Sequence, residues 1–269
     1  MTILVPVFLG LIGLAFGSFV GALVWRLHEH KDFVSDRSEC EHCHHKLNAL
    51  DLIPVISWVA LRGKCRYCGH FIGWTAPVLE LTVAALFVSS YYVWPLSFGS
   101  WQASLSFGLW LVYVVGLVAL LVYDLRWMLL PNVLVFPLMA VAVVESAVRY
   151  SVQVGPNPWD YLNSTIFGVI ILGGLYWAMY TFSKGKWVGY GDVKLGVFMG
   201  IALGFQRSLL ALFLANIIGF VVVLPGLLMG KLKRSSKVPF GPFLIAAFFF
   251  AFLFGGQIIS WYIHFILSY

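Results

Sequence analysis

Long apolar stretches dominate this sequence and constrain its fold more than any other feature. An α-helix needs about 20 apolar residues to cross the hydrocarbon core of a bilayer. Stretches of that order occur at residues 3–25, 76–97, 103–123, 131–148, 161–183, 192–205, 208–229 and 240–267. The sixth is short, which suggests a tilted or partly re-entrant segment. We therefore predict an all-α polytopic membrane protein with about eight transmembrane helices.

The charge of the chain favours the same class of protein. Hydrophobic residues make up 61% of the chain and charged residues only 10%, whereas a soluble domain carries about 25% charged residues. The net charge of +6 would suggest a nucleic-acid partner in a soluble protein. In a membrane protein, however, basic residues collect in the cytoplasmic loops. We therefore predict that the chain contacts a lipid bilayer and no nucleic acid.

The positions of the basic residues predict how the helices are oriented. If the loop that follows the first apolar stretch is cytoplasmic, all Lys and Arg residues except Arg149 and Arg207 lie in cytoplasmic segments. The cytoplasmic set then includes Arg37, Lys233, Arg234 and Lys237. Because cytoplasmic loops of membrane proteins are enriched in Lys and Arg, we predict that both termini lie outside the cytoplasm.

Residues 27–75 form one long polar loop that contains all four cysteines of the chain. The pairs Cys40–Cys43 and Cys65–Cys68 are two CxxC motifs, which supply four thiolates as a structural zinc site requires. A reducing cytoplasm disfavours disulfides. We therefore predict a small cytoplasmic zinc-knuckle loop in which Zn²⁺ supplies much of the folding free energy. Four free or redox-active thiols are the alternative.

Two further features of this loop have less specific interpretations. The histidines His42, His44, His45 and His70 are expected to be solvated, although one of them in place of a cysteine is a possible metal ligand. The apolar segment 51–61 is too short to cross a membrane. We expect it either to lie on the membrane surface or to pack against the cysteine motifs.

Four carboxylates lie within or at the ends of the apolar stretches: Glu80, Asp124, Glu145 and Asp192. An ionisable group in such a position is costly and is therefore a candidate for function. The predicted orientation places Asp124 and Asp192 at a similar depth near the cytoplasmic face. It places Glu80 at the inner end of the second stretch and Glu145 near the outer face. We therefore predict that Asp124 and Asp192 form a pair.

Two carboxylates held close together in an apolar site favour aspartyl protease chemistry. They share one proton, since both cannot easily ionise. The ionised carboxylate accepts a proton from water, and the protonated one donates to the scissile carbonyl oxygen. A proton- or ion-coupled transporter and a structural pair are the alternatives. Ion pairs of Asp124 with Arg126, or of Asp192 with Lys194, are disfavoured because residues two apart on a helix do not face each other.

The sequence around the two aspartates favours the protease. Asp124 follows Tyr123, and Asp192 closes the motif Gly189-Tyr190-Gly191-Asp192. This combination resembles the GxGD-type intramembrane aspartyl proteases as a class. Glycines on both sides of Tyr190 would let the backbone bend sharply and approach an extended substrate strand.

Motifs along nearly the whole chain resemble those of the type IV prepilin leader peptidase and N-methyltransferase family. The matching segments are 17–20, 25–27, 37–43, 51–58, 61–69, 77–82, 124–132, 191–195 and 239–244. Segment 51–69 is the most specific of them. The chain departs from the usual family pattern at Glu41, Thr75 and Tyr190.

The resemblance implies an enzyme of the bacterial cytoplasmic (inner) membrane with Asp124 and Asp192 as its catalytic pair. Such enzymes remove the basic leader from prepilins or pseudopilins, which serve pili or protein secretion, at the cytoplasmic face. Many then methylate the new N-terminal residue with S-adenosylmethionine. We also predict that Gly189, Gly191, Pro239 and Gly241 bind the substrate. The domains implied are residues 1–26 as the first transmembrane helix, 27–75 as a zinc-binding loop associated with methylation, and 76–269 as the transmembrane peptidase domain.

Overall fold

A computed structural model of the protein describes residues 3–32, 38–153, 158–231 and 238–267. Arg37, Lys233, Arg234 and Lys237, which contribute to the predicted cytoplasmic charge, lie outside the described residues. Helices make up most of the described part of the chain, where the only β-structure is two isolated bridges within the cysteine loop.

The helices are the following, in chain order: α1 (Leu4–His28), a 3₁₀ turn (Ala49–Leu52), α2 (Ile56–Ala60), α3 (Thr75–Tyr92), α4 (Trp101–Trp127), α5 (Asn132–Gln153), α6 (Pro158–Val169), α7 (Leu175–Ser183), α8 (Tyr190–Leu228) and α9 (Gly241–Leu267). A π turn at Ile170–Gly174 joins α6 and α7 into one helical run. Six segments are long and apolar enough to cross a membrane, namely α1, α4, α5, the α6–α7 run, α8 and α9. The predicted all-α membrane fold is therefore confirmed.

The break in helix α8 accounts for part of the difference between the six observed segments and the eight predicted stretches. The helix is 39 residues long and is broken at Gly204, whose φ of 70° and ψ of −175° favour glycine. The break divides α8 into two helical parts that correspond to the predicted stretches 192–205 and 208–229. The Phe205 N–H, which lies just past the break, donates a hydrogen bond of 3.0 Å to Ser164 Oγ. The helix α3, which is not among the six segments, corresponds to the second predicted stretch.

The helix α3 is shorter than the predicted stretch 76–97. It has 18 residues and ends at Tyr92, three residues before Pro95. A proline restricts the residue before it to extended conformations and has no N–H to donate. The helix therefore stops although the sequence remains apolar.

The chain divides into two compact units. The first comprises Met1–Val93 and Leu111–Ala119, and the second comprises Trp94–Trp110 and Leu120–Tyr269. In the first unit, α1 packs closely on α3 because two glycines of α1 face the α3 backbone. A Cβ on Gly13 would lie 2.6 Å from Ala84 Cα, and one on Gly17 would lie 2.4 Å from Glu80 Cα. Small residues allow such close packing between membrane helices.

The second unit is built around α8, which packs against α5, the α6–α7 run and α9. Glycines also set the closest of these approaches. A Cβ on Gly200 would lie 2.6 Å from Gly168 C, and one on Gly173, within the π turn, would lie 2.6 Å from Val197 Cγ2. Aromatic rings fill part of the same unit, where Trp110 stacks on Phe252 with 4.4 Å between ring centroids.

Candidate active site and metal centre

Asp124 lies in the last turn of α4. Its side chain is buried, with 5% of its surface exposed. The helix ends three residues later at Trp127. The next residue, Met128, adopts a left-handed conformation and donates its N–H to the Asp124 carbonyl oxygen at 2.8 Å. The Oδ2 atom of Asp124 has no well-aligned hydrogen-bond donor among the described residues. A buried polar atom without a partner is uncommon in folded proteins and calls for an explanation, such as a catalytic role.

The first residue of α9, Gly241, lies directly against the Asp124 carboxylate. A Cβ on Gly241 would be 2.5 Å from Asp124 Oδ2, so only glycine leaves room for the carboxylate in this position. The Gly241 N–H also lies beside the carboxylate. It is one of the N–H groups at a helix start that have no partner within the helix. The N-terminal end of a helix favours negative charge, so α9 stabilises an ionised Asp124.

Asp192 lies in the first turn of α8. Its Oδ2 accepts a hydrogen bond of 3.2 Å from the Gly189 N–H, just before the helix. Its carboxyl is partly buried. Asp124 and Asp192 are close enough for direct electrostatic interaction, and so are Tyr176 and Asp192. The second unit therefore brings the two predicted aspartates within electrostatic range of each other, with Asp124 beside the start of α9 and Asp192 in the first turn of α8.

The neighbouring basic residues interact elsewhere. The guanidinium of Arg126 lies over the Trp127 ring, 5.7 Å from its centroid. The Lys194 ammonium donates to Asn132 Oδ1 and lies 5.2 Å from the centroid of the Tyr190 ring. Within the described ranges, neither cation forms an ion pair with an aspartate. The pair is therefore not neutralised by the cations next to it in sequence, as the helical spacing predicts.

The four residues predicted to bind substrate differ in what they contribute to the structure. Gly189 has φ −75° and ψ 152°, which any residue adopts. Gly191 packs against Leu130, because a Cβ on it would lie 3.0 Å from Leu130 Cβ. Pro239 lies just before α9, and Gly241 contacts Asp124. Neither glycine of the Gly189–Asp192 motif has the positive φ that a sharp backbone bend would need, so packing accounts for Gly191.

If Asp124 is catalytic, as the sequence predicts, Gly241→Ala is expected to reduce peptide cleavage by about 100-fold, because displacing a reacting group by about 1 Å has an effect of that size. The new Cβ cannot coexist with Asp124 Oδ2 at 2.5 Å, so the carboxylate must move. Cleavage of a model prepilin by purified protein would measure the effect. Gly108→Ala is the matched control, since a Cβ there meets nothing within 4 Å. Equal activity of the two variants would contradict the placement of Gly241 against a catalytic group.

The four cysteines of the first unit form a single cluster. Their Sγ atoms lie within 4.8 Å of one another, and Cys40 Sγ is 3.9 Å from Cys68 Sγ. Zinc–sulfur bonds of about 2.3 Å in a tetrahedron place sulfur atoms about 3.8 Å apart. Cys40 and Cys65 are buried, and Cys43 and Cys68 are exposed. The cluster can therefore hold a metal ion, and four thiolates with this spacing suit zinc.

The two CxxC motifs have the same backbone conformation. The first cysteine of each motif donates its N–H to a histidine carbonyl five residues later, Cys40 to His45 at 3.0 Å and Cys65 to His70 at 2.8 Å. Each carbonyl of these cysteines accepts from the residue four positions later, His44 or Gly69 at 2.9 Å, and both of those residues have positive φ. The two motifs are therefore a repeated turn that presents its cysteines in equivalent positions.

Ring stacking between the two turns accounts for three of the four histidines. His42 stacks on His70 with 4.1 Å between ring centroids, and His45 packs on Tyr67 at 3.7 Å. The described metal-binding cluster consists of cysteines alone. The expectation that the histidines are merely solvated therefore misses a packing role that joins one turn to the other. The sequence signal for this role is an aromatic ring at the third position of each CxxC motif, which is His42 in the first motif and Tyr67 in the second.

The short apolar segment packs against the second cysteine turn. Asp51 accepts a hydrogen bond of 2.6 Å from Arg66 Nε and one of 3.1 Å from the Tyr67 hydroxyl. Burial opposes ionisation of Asp51, but these hydrogen bonds outweigh it and hold the pKa of the carboxyl below its usual value. Trp58 contacts the Trp74 ring at 4.3 Å between centroids and donates its Nε1–H to the Gly73 carbonyl at 2.8 Å.

Glu80 fixes the same segment to α3. Its Oε2 accepts a hydrogen bond of 2.7 Å from the Val55 N–H, and Val55 has a positive φ of 60°, which is unusual for a β-branched residue. The carboxylate is buried, with 5% of the residue exposed. Glu80, one of the four carboxylates that the sequence places within or at the ends of apolar stretches, therefore anchors the loop to α3.

Comparison with known proteins places both groups of candidate residues within matched segments. Residues 11–94 match a family model described as the bacterial peptidase A24 N-terminal domain, and residues 111–224 match one described as the type IV leader peptidase family. The four cysteines lie within the first match and both aspartates within the second. No solved structure matches the chain at a significant level.

Several curated relatives are named prepilin leader peptidase/N-methyltransferase. The protein from Stutzerimonas stutzeri is 34% identical over 228 residues, which cover 85% of this chain and 75% of the relative. The protein from Bacillus subtilis (strain 168) is 31% identical over 256 residues, which cover 94% of this chain and 96% of the relative. The identity extends over both units. The chain therefore belongs to the type IV leader peptidase family.

Proposed function

We propose that this protein is a prepilin peptidase that cleaves the basic leader from type IV prepilins or pseudopilins by means of Asp124 and Asp192. The observation that carries the proposal is the approach of two carboxylates from α4 and α8 within electrostatic range, with Asp124 Oδ2 buried and without an aligned donor among the described residues. The names of the relatives, which cover most of the chain, support the same activity.

In the proposed mechanism the two carboxylates hold one proton between them. The ionised carboxylate accepts a proton from the attacking water, and the other donates its proton to the carbonyl oxygen of the scissile bond. The starts of α8 and α9 direct backbone N–H groups towards the pair and favour its negative charge. Gly189, Gly191, Pro239 and Gly241 border this site in sequence, and we propose that the substrate strand lies along them.

We further propose that cleavage takes place at the cytoplasmic face, with both termini on the opposite side. Asp124 lies in the last turn of α4 and Asp192 in the first turn of α8. Both therefore lie near helix ends, next to segments that contain Arg126, Lys184 and Lys186. The concentration of basic residues in these segments supports a cytoplasmic location.

We propose a second activity, N-methylation of the new N-terminal residue. The relatives carry N-methyltransferase in their names, and S-adenosylmethionine would supply the methyl group. Cys40, Cys43, Cys65 and Cys68 would hold a structural Zn²⁺ and thereby keep segments 38–75 folded. In this division residues 27–75 serve methylation and residues 76–269 serve cleavage, with residues 1–26 as a membrane helix.

A direct assay tests both activities. Purified protein in membranes is incubated with a model prepilin that carries a basic leader, with and without S-adenosylmethionine. We expect a shortened product in both samples and a product heavier by one methyl group only with the methyl donor, as measured by mass spectrometry. An intact prepilin after prolonged incubation would refute the peptidase. A shortened but unmethylated product would refute the methyltransferase alone.

A further inference from the structure

A second polar cluster lies in the second unit, at the opposite end from the aspartates. It consists of Glu145 and Arg149 on α5, Arg207 on α8 and Ser106 on α4. Ser106 and Asp124 belong to one helix and are 18 residues apart in sequence, which corresponds to about 27 Å along the axis. Arg149 and Arg207 are also the two basic residues that the sequence predicts to lie away from the cytoplasm. The cluster is therefore separate from the proposed catalytic site.

Arg149 and Glu145 are buried in this cluster without complete pairing. Arg149 Nε lies 3.6 Å from Glu145 Oε1, which also accepts a hydrogen bond of 2.8 Å from the Ser106 hydroxyl. The guanidinium donates to the Ala202 carbonyl and lies 4.8 Å from the centroid of the Phe252 ring. Arg149 is only 9% exposed, yet its Nη1 has no acceptor within the described part of the chain, and Glu145 Oε2 has no donor there.

Arg207 adds a second positive charge to the cluster. Its side chain packs across α9, where a Cβ on Gly255 would lie 3.1 Å from Arg207 Cγ. It is within electrostatic range of both Arg149 and Glu145, but no carboxylate forms an ion pair with it in the described ranges. Two guanidinium groups face one carboxylate, so the cluster has a net charge of +1. An uncompensated charge among membrane helices is costly.

A cavity of about 230 Å³ opens beside these charges. Its lining includes Arg149 and Arg207 together with four residues that carry hydroxyl groups, namely Tyr150, Tyr161, Ser164 and Thr165. The break of α8 at Gly204 forms one wall, and Gln206 at the rim is exposed. A water molecule occupies about 30 Å³ of liquid, so the cavity has room for a phosphate group and several of its neighbouring atoms.

We propose that this cavity binds a phosphate oxyanion, and that its usual occupant is the headgroup of an anionic phospholipid. Guanidinium groups bind phosphate through paired, charge-assisted hydrogen bonds. Both guanidinium-bearing residues line the cavity, and no carboxylate in the described ranges forms an ion pair with Arg207. The ends of membrane helices lie at the depth of the headgroups. Basic pockets between helices on the cytoplasmic side of a membrane bind anionic headgroups, and the same charge-assisted contacts to phosphate are available on the opposite side. The charge of the occupant balances the net positive charge of the cluster.

Thermal unfolding of the full-length protein in a nonionic detergent tests the proposal. We expect dioleoylphosphatidylglycerol to raise Tm by roughly 2–4 °C, whereas dioleoylglycerol, which lacks the phosphate, should not raise it at the same mole fraction. Sodium phosphate is compared with sodium chloride at equal ionic strength. If phosphate raises Tm as much as the lipid does, the same site binds a free anion. If neither has an effect, the cavity is not a phosphate site.

Two variants locate the effect in the cavity. Arg207→Gln removes the unpaired charge, and Thr165→Phe fills the cavity without a change of charge. Each is expected to abolish the Tm response to phosphatidylglycerol, and either one suffices if the other does not fold. Lys186→Gln is the control, because it removes one exposed positive charge at the other end of the same unit. A full response in either folded cavity variant, or its loss in the control, would overturn the proposal. Prepilin cleavage by the control variant is measured separately. A negative result for lipid binding can therefore be distinguished from a negative result for the peptidase.

Discussion

Asp124→Asn and Asp192→Asn are each expected to lower prepilin cleavage by about 10³-fold or more, while the protein still folds and inserts into the membrane. General acid–base catalysis contributes about 10²–10⁴-fold to enzymatic rates. An amide has nearly the shape of a carboxylic acid but neither accepts a proton from water nor donates one. The helix starts next to Asp124 and Asp192 tolerate a neutral side chain, so stability should change little. Cleavage rates and thermal unfolding of the purified variants measure the two effects.

The double variant sharpens this prediction. Groups that act as one unit show strongly non-additive losses, so Asp124→Asn combined with Asp192→Asn should be no slower than the single variants. Asp160→Asn is the matched control, because Asp160 is an exposed aspartate in the first turn of α6 in the same unit. It should cleave at the normal rate. Normal cleavage by either of the two site variants would refute the aspartyl pair.

Cys65→Ser is expected to reduce bound zinc from about one ion per chain to none and to abolish methylation, with cleavage retained within about 10-fold. Structural zinc supplies an apparent binding free energy of about 10–16 kcal/mol in small zinc domains, more than most single interactions in a protein. The cysteine loop has few other sources of stability besides ring stacking, the Asp51–Arg66 pair and the Glu80 hydrogen bond. The cysteines and the aspartates belong to different compact units, which is why cleavage should survive.

Metal analysis, limited proteolysis and mass spectrometry of the processed prepilin measure these three outcomes. Faster proteolysis is expected between residues 38 and 75. His44→Asn serves as the control, because asparagine tolerates the positive φ of this position and the described metal cluster contains no histidine. This variant should keep its zinc. Retention of a full complement of metal by Cys65→Ser would exclude the four-cysteine site.

Much of the site could be predicted because it depends on the kind of residue at each position. Apolar stretches long enough to cross a membrane, and charges at their ends, follow from transfer free energies that each residue contributes wherever it packs. The approach of Asp124 to Asp192 could be predicted because the distribution of basic residues assigns both aspartates to a similar depth. The two CxxC motifs likewise carry their ligand chemistry in four residues. The predicted stretch 76–97 failed at its end because Pro95 stops α3 early.

The sequence by itself determined the membrane class and the four-cysteine cluster and predicts the aspartate pair, since these depend on hydrophobicity and local chemistry. Only the tertiary structure decided what each of the other polar residues does. It placed Gly241 against Asp124 and showed that Glu80 accepts a hydrogen bond from the Val55 N–H. It also brought Glu145, Arg149 and Arg207 together beside a cavity. These contacts join helices that are distant in sequence, and the free energy of each depends on how the helices pack. No local pattern specifies that packing, so the role of a residue such as Glu80 or Arg207 emerges only when its neighbours in space are known.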